Sequence, residues 1–455
     1  MLISPITVIG GGPAGSLAAI AAQQVINTDP AKGYVTVIEK KDYASKKRAL
    51  PEKVCAGLVP ESGLQLMDEY EVPWKNFPRV ALTNMVFSDR GHLALDDPEN
   101  LKPYYPHRDL VETHDIHLGS IFGRDTFDAG LLNHARQVGA RVLTGTSVSQ
   151  IIPDGDGLLV LRKGKNGEGD ELIVKTQMVI GAFGANLMLG EKFAALMGNY
   201  FPTKDSSMGY AYRAYVTSSY NRNLNHGTAM HCRGFSYPYN GAIAGGYLWT
   251  VDSPQGVNFG VMGFNYGKAS FFKLADFKYM FPQYYGVPGT VISKKRGAPL
   301  PMWEPSMVNE ISIGCNNTAV GIVGDAAGYV DPLTGEGIQQ GMQSGANLGA
   351  AMAQAVLRGD MLPVHTLAAD IPHSRAYRMR KASHLIAKYF IRQPDRLHLL
   401  LRILKQHPYF GRVINDYISH RKLGEYLLDP RIMNLGLTLV REPQIRKAFY
   451  EMIGL

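Results

Sequence analysis

Gly10, Gly12 and Gly15, in the run Gly10-Gly11-Gly12-Pro13-Ala14-Gly15, have the G-x-G-x-x-G spacing that lets backbone N–H groups approach a pyrophosphate. Apolar residues 6–9 read as a strand before that turn, and alanine-rich residues 16–24 as a helix after it. The helix N-terminus would then present its unpaired N–H groups and partial positive charge to the phosphates. Pro13 and Ala14 sit inside the turn and join the three glycines as expected cofactor-binding residues. After a loop at 27–33, residues 34–39 read as a second strand ending at Glu39, with Lys40 next. A carboxylate at the end of such a βαβ unit accepts hydrogen bonds from ribose hydroxyls. The competing reading of Glu39 is a solvated strand end.

A second signature stands far along the chain, at Val323-Gly324-Asp325-Ala326-Ala327-Gly328, and continues through Pro332, Gly335, Gly337 and Ile338. Here an apolar strand ends at an Asp suited to ribityl or pyrophosphate-side groups, and glycine turns start a helix whose amides can face a ring system. The competing reading is an ordinary strand-to-helix turn. Two glycine signatures, at opposite ends of one region, predict a single flavin dinucleotide, FAD, held from two sides.

Behind these residues the chain reads as alternating elements. Residues 127–138 predict an amphipathic helix, 140–152 and 158–162 strands with a turn at 154–157, and 319–323 a strand before a helix at 337–357. Residues 208–293, rich in Tyr, Gly, Phe and Val, have the composition of an antiparallel sheet, and beyond 371 the pattern is helical. The expected fold class is α/β: a discontinuous Rossmann-like FAD-binding domain (1–80, 110–190 and 310–360), an antiparallel β-sheet substrate domain (81–109 and 191–309) and a helical C-terminal domain (361–455).

These motifs resemble those of the FAD-dependent superfamily of p-hydroxybenzoate hydroxylase-like flavoproteins, and within it the geranylgeranyl reductases. Arg124 stands where that group carries an Arg ahead of a helix. Ile180-Gly181-Ala182-Phe183-Gly184 is similar to the group's Gly-Ala-Asp-Gly strand end, with Phe183 in place of the acid. Lys53-Val54-Cys55-Ala56-Gly57, with Arg48 upstream, resembles the reductases' Lys-Pro-Cys-Gly-Gly segment, and Gly246-Tyr247-Leu248-Trp249 followed by Asn258 resembles their Gly-Tyr-x-Trp segment. The resemblance implies reduction of carbon-carbon double bonds in a prenyl chain or other apolar substrate, with Cys55, Tyr247 and Trp249 on the substrate side. It also implies that Arg48, Cys55, Ala56, Arg124 and Gly184 join the cofactor-binding set.

Tyr247 and Trp249, spaced i and i+2, would share one face of a strand and wall an apolar tunnel, although such aromatics are commonly plain core. Cys55 reads either as a redox-active or proton-handling thiol or as a small buried apolar residue. Two other functions share the flavin motifs or the charge pattern. One is a monooxygenase or halogenase working through a flavin hydroperoxide; the other is an accessory flavoprotein acting on a protein partner.

The bulk composition sets bounds on all of these. A chain of 455 residues with 45% hydrophobic and 19% charged residues is a multi-domain globular enzyme rather than a disordered or fibrous protein. Its three cysteines, Cys55, Cys232 and Cys315, show no disulfide or metal-ligand spacing, which suits a reducing cytoplasm. The chain opens without a signal-peptide pattern, and no run is apolar enough to span a bilayer. Residues 371–455 carry sixteen Lys or Arg against six Asp or Glu, a surplus larger than the whole chain's +8. That basic tail, with Arg375, Arg378, Arg380 and Lys381, reads as a peripheral contact for anionic lipid, a solvated helical face or a donor-docking surface. No nucleic-acid motif accompanies the charge. No second G-x-G-x-x-G marks a nicotinamide domain, so the electron donor is expected to be external: NAD(P)H, ferredoxin or another flavoprotein.

Overall fold

The computed structural model describes residues 2–43, 53, 55–92, 108–164, 169–198, 208–217, 228–239, 242–263, 291–292, 296–302, 310–314, 316–332 and 334–388, with 441, 443, 446 and 447. The expected α/β class is borne out. β1 (Leu2–Ile9) leads into α1 (Pro13–Ile26), then β2 (Thr36–Ile38), β3 (Leu58–Pro60), α2 (Glu61–Glu69), β4 (Arg79–His92), β5 (Arg108–Phe122) and α3 (Arg124–Gln137). The chain continues through β6 (Arg141–Leu143), β7 (Gln150–Asp154), β8 (Gly157–Lys163), β9 (Asp170–Gly181), α4 (Leu187–Met197), β10 (Met208–Thr217), β11 (Thr228–Tyr239), β12 (Ala242–Ser253) and β13 (Gly256–Gly263). Last come β14 (Val291–Ile292), β15 (Arg296–Pro301), β16 (Ile311–Ile313), β17 (Ala319–Ile322), α5 (Ile338–Arg358), α6 (Leu362–Asp370) and α7 (Arg375–Ile386).

The first sheet runs β16-β17-β9-β1-β2-β6, parallel from β17 to β6, with the β7–β8 hairpin attached antiparallel through β9. Its central strand β1 is buried on both faces, with Ile6 and Val8 in one apolar cluster and Ile9 in another. The second sheet runs β14-β10-β13-β12-β11-β4-β5-β3, with β15 added on β10. It is antiparallel as expected, except where β4 lies parallel to β11. The strand expected over 140–152 is two strands. β6 stays parallel to β2, the backbone then turns at Gly145 (φ +68°), where Thr146 N donates to Glu39 O, and β7 starts a different pairing.

The contact of α1 with α5 brings the two signatures together. A Cβ on Gly345 would lie 2.0 Å from Ala14 O, and one on Gly349 2.2 Å from Ala18 O, so these helices touch backbone to backbone. Their alanine and glycine content follows from that close approach. At the same end, a Cβ on Gly324 would lie 2.7 Å from Ala14 Cβ. Two helices thus begin side by side, each at a glycine turn. Among the described residues no helix is long and apolar enough to cross a membrane.

Candidate functional site

The first turn is shaped by steric necessity. Gly10 has φ +108°, and its N–H donates to Ile38 O at 2.9 Å. A Cβ on Gly15 would lie 1.9 Å from Gly10 O. Gly12 caps α1 with no side-chain hydrogen bond, Pro13 opens the helix, and Ala14 takes the contact with the second motif. The space over Gly12 is open except for Lys53 Nζ, 3.0 Å from where a Cβ would stand. Glu39 is buried, its Oε2 accepting from Gly11 N at 2.6 Å and its Oε1 from Lys41 N at 2.7 Å. A carboxylate fixed in this way retains lone pairs for ribose hydroxyls. Lys40 is exposed beside it, and Arg48 lies outside the described residues.

The second turn is built similarly. Gly324 N donates to Ser344 Oγ at 3.1 Å, Gly335 has φ +70°, and Pro332 is buried. Gly337 caps α5 without a side-chain bond, and a Cβ there would lie 3.4 Å from Asp325 Oδ1, while Ile338 begins the helix. Burial raises the Asp325 carboxyl above its ordinary range, opposed by the positive charges of Arg124 and Lys53. Both cations are thus near enough to act on Asp325, and Lys53 also stands over Gly12 of the first signature.

Arg124, at the first position of α3, contacts Asp128 one turn on through Nε (3.0 Å) and Nη2 (3.3 Å), and Lys53 Nζ contacts the same carboxylate. Burial works to raise Asp128, yet Arg124 and Lys53 outweigh it and hold the carboxyl below its ordinary value. Burial likewise opposes the charge on Arg124, and Asp128 and the Cys55 side chain reverse that, holding the guanidinium above its ordinary value. Cys55 is half-buried, its Sγ accepting from Gly57 N at 3.2 Å, and it lies near enough to Arg124 to act on its charge. Tyr43 packs nearby with its hydroxyl buried and without a partner among the described residues; burial first, then Asp128 and Glu39, push it up.

The second sheet holds the Cys55 segment in place. Asn258 Nδ2 donates to Cys55 O at 2.8 Å and to Ala56 O at 3.2 Å, and Trp249 Nε1 donates to Asn258 Oδ1 at 3.1 Å. Arg213 donates to Lys53 O, and its guanidinium lies 4.4 Å from the centre of the Tyr215 ring. Burial pushes the Tyr215 phenol up to about 12, with Arg213 pulling the other way. Trp249 is buried over Gly260, its partner in the β12–β13 ladder, where a Cβ would lie 2.0 Å from the indole. Tyr247 follows the alternation of the same strand, opposite Gly234 and Met262, and its side chain lies outside the described ones. Phe183, in place of the group's acid, stacks on Phe193 at 4.9 Å, and the adjoining Gly184 has φ +61° with open space around it.

Trp249→Phe keeps an aromatic ring, smaller than the indole, and leaves Asn258 Oδ1 buried without its donor. The expected cost is about 1–3 kcal/mol in urea unfolding. A change below the scatter of that measurement would mean that the indole N–H supports nothing.

Sequence reasoning missed Asp128, Tyr43 and a second buried cluster. Its signal for Asp128 was the i, i+4 spacing from Arg124. In the second cluster, Arg380 is buried, its Nη1 3.3 Å from Glu310 Oε1 and its guanidinium 3.7 Å from the Tyr329 ring centre, while the Tyr329 hydroxyl donates to Glu310. The expectation that Arg380 lies on a lipid-facing surface is therefore corrected: its hydrocarbon stem and charge are spent inside the fold. Arg378 and Lys381 are exposed, and the Arg375 side chain lies outside the described ones.

Burial raises the Glu310 carboxyl from 4.5 to about 7, with Arg380 and Tyr329 opposing. A carboxyl whose folded value is raised binds its proton more tightly in the folded state. The stability that it contributes is full below pH 4.5, declines as pH rises, and is lost once pH passes about 7. The difference in unfolding free energy between the protein and Glu310→Gln is expected to change across that window, measured in urea at fixed ionic strength. A flat difference contradicts the assignment.

No known family profile matches the chain. It is 26% identical over 365 residues to digeranylgeranylglycerophospholipid reductase 2 of Methanosphaera stadtmanae, covering 79% of this chain and 80% of that one. It is also 26% identical over 352 residues to geranylgeranyl diphosphate reductase of Rhodobacter capsulatus, covering 77% and 75%. Among solved structures, a geranylgeranyl bacteriochlorophyll reductase-like protein of Thermoplasma acidophilum matches with TM-score 0.65 and 17% identity, covering 99% and 100%. A flavin-dependent brominase matches with TM-score 0.58 and 18% identity, covering 91% and 93%. Fold and site together thus define the class, a flavoprotein oxidoreductase. Within that class the sequence relatives bear out the resemblance to the geranylgeranyl reductases.

Proposed function

We propose that the chain binds FAD between its two glycine signatures and reduces carbon-carbon double bonds in the prenyl chain of an apolar, lipid-like substrate. The observation that carries this reading is the match over 365 residues to a digeranylgeranylglycerophospholipid reductase, with both signatures and the Cys55 segment present in this chain. The local chemistry suits the dinucleotide: a cradle that only glycine backbone can form, a cation over it, a fixed carboxylate at the ribose position and a buried tyrosine hydroxyl with no partner among the described residues.

In this reading Gly10, Gly12, Pro13, Ala14 and Gly15, with Lys53 above them, take the pyrophosphate and Glu39 the ribose. Asp325, Pro332, Gly335, Gly337 and Ile338 take the opposite side with Arg124, Cys55, Ala56 and Gly184, and Lys40 and Arg48 complete the proposed cofactor-binding set. Bound FAD, reduced by an external donor, would supply a hydride for one alkene carbon. The protein's part is to keep water out and to deliver a proton to the other carbon. Cys55, beside the Arg124 guanidinium, is our choice for handling that proton. Trp249 acts through Asn258 on the Cys55 backbone, and Tyr247 is assigned to the substrate wall. The division into a discontinuous FAD-binding unit, a sheet unit and a helical C-terminal unit is kept in this proposal, except that β3 and β5, expected in the first unit, stand in the second sheet. Exposed Arg378 and Lys381 leave a peripheral lipid contact within this proposal.

The test is to load the protein with FAD, reduce it with dithionite and incubate it with a geranylgeranylated glycerophospholipid. Products gaining two hydrogens per double bond by mass spectrometry are expected. Unchanged lipid in a sample that holds its flavin contradicts the reaction while leaving the cofactor intact.

A further inference from the structure

We propose that Arg380 is a positioning residue for the flavin: through its buried contacts with Glu310 and Tyr329, helix α7 fixes the turn that begins at Gly324. The inference rests on the flavin reading above and gives the C-terminal region a part in it.

Tyr329 follows Gly328 directly, and its N–H donates to Gly324 O at 3.1 Å, closing the turn that carries Asp325. The direction of the Tyr329 ring and the shape of that turn are therefore linked. Val330, the next residue, forms a bridge with Met302 just past β15, which ties the far end of this segment to the second sheet. The three members of the cluster come from separate parts of the chain: Glu310 just ahead of β16, Tyr329 after β17 and Arg380 on α7.

A cavity lined by Glu310, Val323, Tyr329, Ser344 and Leu348 lies beneath the turn. Tyr329 and Glu310 border this cavity, so on that side their positions are set by polar contacts with each other and with Arg380. Burying an ion pair adds little net stability over apolar residues of the same volume, because desolvation offsets the attraction. Its effect is to favour one geometry, since every other arrangement leaves a buried charge unpaired. Here the favoured geometry is that of the residues next to Asp325.

The experiment compares FAD dissociation constants and bound-flavin visible spectra for the full-length protein, Arg380→Met, Arg380→Lys and Tyr329→Phe. Arg380→Met is expected to weaken FAD by about tenfold or more and to shift the spectrum, a change of about 1.4 kcal/mol per decade. Arg380→Lys, which keeps a charge opposite Glu310, is expected to recover part of the affinity. Tyr329→Phe, which keeps the ring and loses the hydroxyl, should fall between them. If Arg380→Met does not fold, Tyr329→Phe and Glu310→Gln decide by the same two readouts. Folded variants that bind FAD within about twofold of the parent, with its spectrum, would overturn the inference. Failure of the parent to bind FAD would instead overturn the flavin reading on which it rests.

Discussion

Alanine at Gly10 is expected to yield a folded protein that purifies without flavin. Two costs fall on the same atom. The backbone there has φ +108°, outside the regions open to residues with a side chain, and the added Cβ would lie 2.2 Å from Ala182 O. Strained backbone of this kind costs about 1–3 kcal/mol by itself. The clash is with main chain that neighbouring strands hold, so relief must come from the turn. Moving the turn displaces Gly11 N from Glu39 and opens the cradle. FAD affinity should drop by at least about a hundredfold, which is about 2.8 kcal/mol. Gly198→Ala is the control, because Gly198, outside the proposed flavin site, has φ +64° with no atom near its missing Cβ. It should show backbone strain of about 1–2 kcal/mol and little more. Equal flavin affinity in Gly10→Ala and the parent would remove the first signature from the site.

Removing Asp128 should have the largest effect on stability. Its carboxylate is buried against Arg124 and Lys53, so Asp128→Ala leaves the buried Arg124 guanidinium without its counterion. Losing one partner of such a group costs about 3–5 kcal/mol. Arg124→Met in the same chain should return part of that loss, because the stranded charge is gone. The pH dependence has the opposite sign to that of Glu310. A carboxyl held below 3.8 in the fold contributes stability that is complete above 3.8 and lost as pH falls through its folded value. The parent should therefore lose stability in acid more steeply than Asp128→Asn, as followed by urea unfolding. Parallel acid limbs would contradict a depressed Asp128.

The glycine turns and Glu39 were legible in the sequence because their chemistry is local: strand, turn, helix and acid follow one another within 39 residues. Residues 140–152 read as one strand because their apolar pattern continues through Gly145, and only a glycine at positive φ marks the change of partner. The support of Cys55 by Asn258 and Trp249 spans about two hundred residues, a separation over which neither periodicity nor spacing carries a signal. Trp249 reads as a strand aromatic either way, and only its bond to Asn258 shows that it acts on the Cys55 segment from behind. Arg380 was read with its charged neighbours as surface, since the sequence gives its charge without the counter-charge at Glu310. Phe183 marked a departure from the flavoprotein pattern in the sequence, and its stacking on Phe193 explains how the fold accepts a ring there.

The central claim is that electrons leave the flavin for a prenyl double bond, and reoxidation kinetics test it most directly. The FAD-loaded protein would be reduced without oxygen and mixed, in separate stopped-flow runs, with a geranylgeranylated lipid and with dissolved oxygen, while flavin absorbance is followed. The account predicts fast reoxidation by the lipid and slow reoxidation by oxygen. Fast reoxidation by oxygen, with no response to the lipid, would contradict it and assign the chain to oxygen-using chemistry.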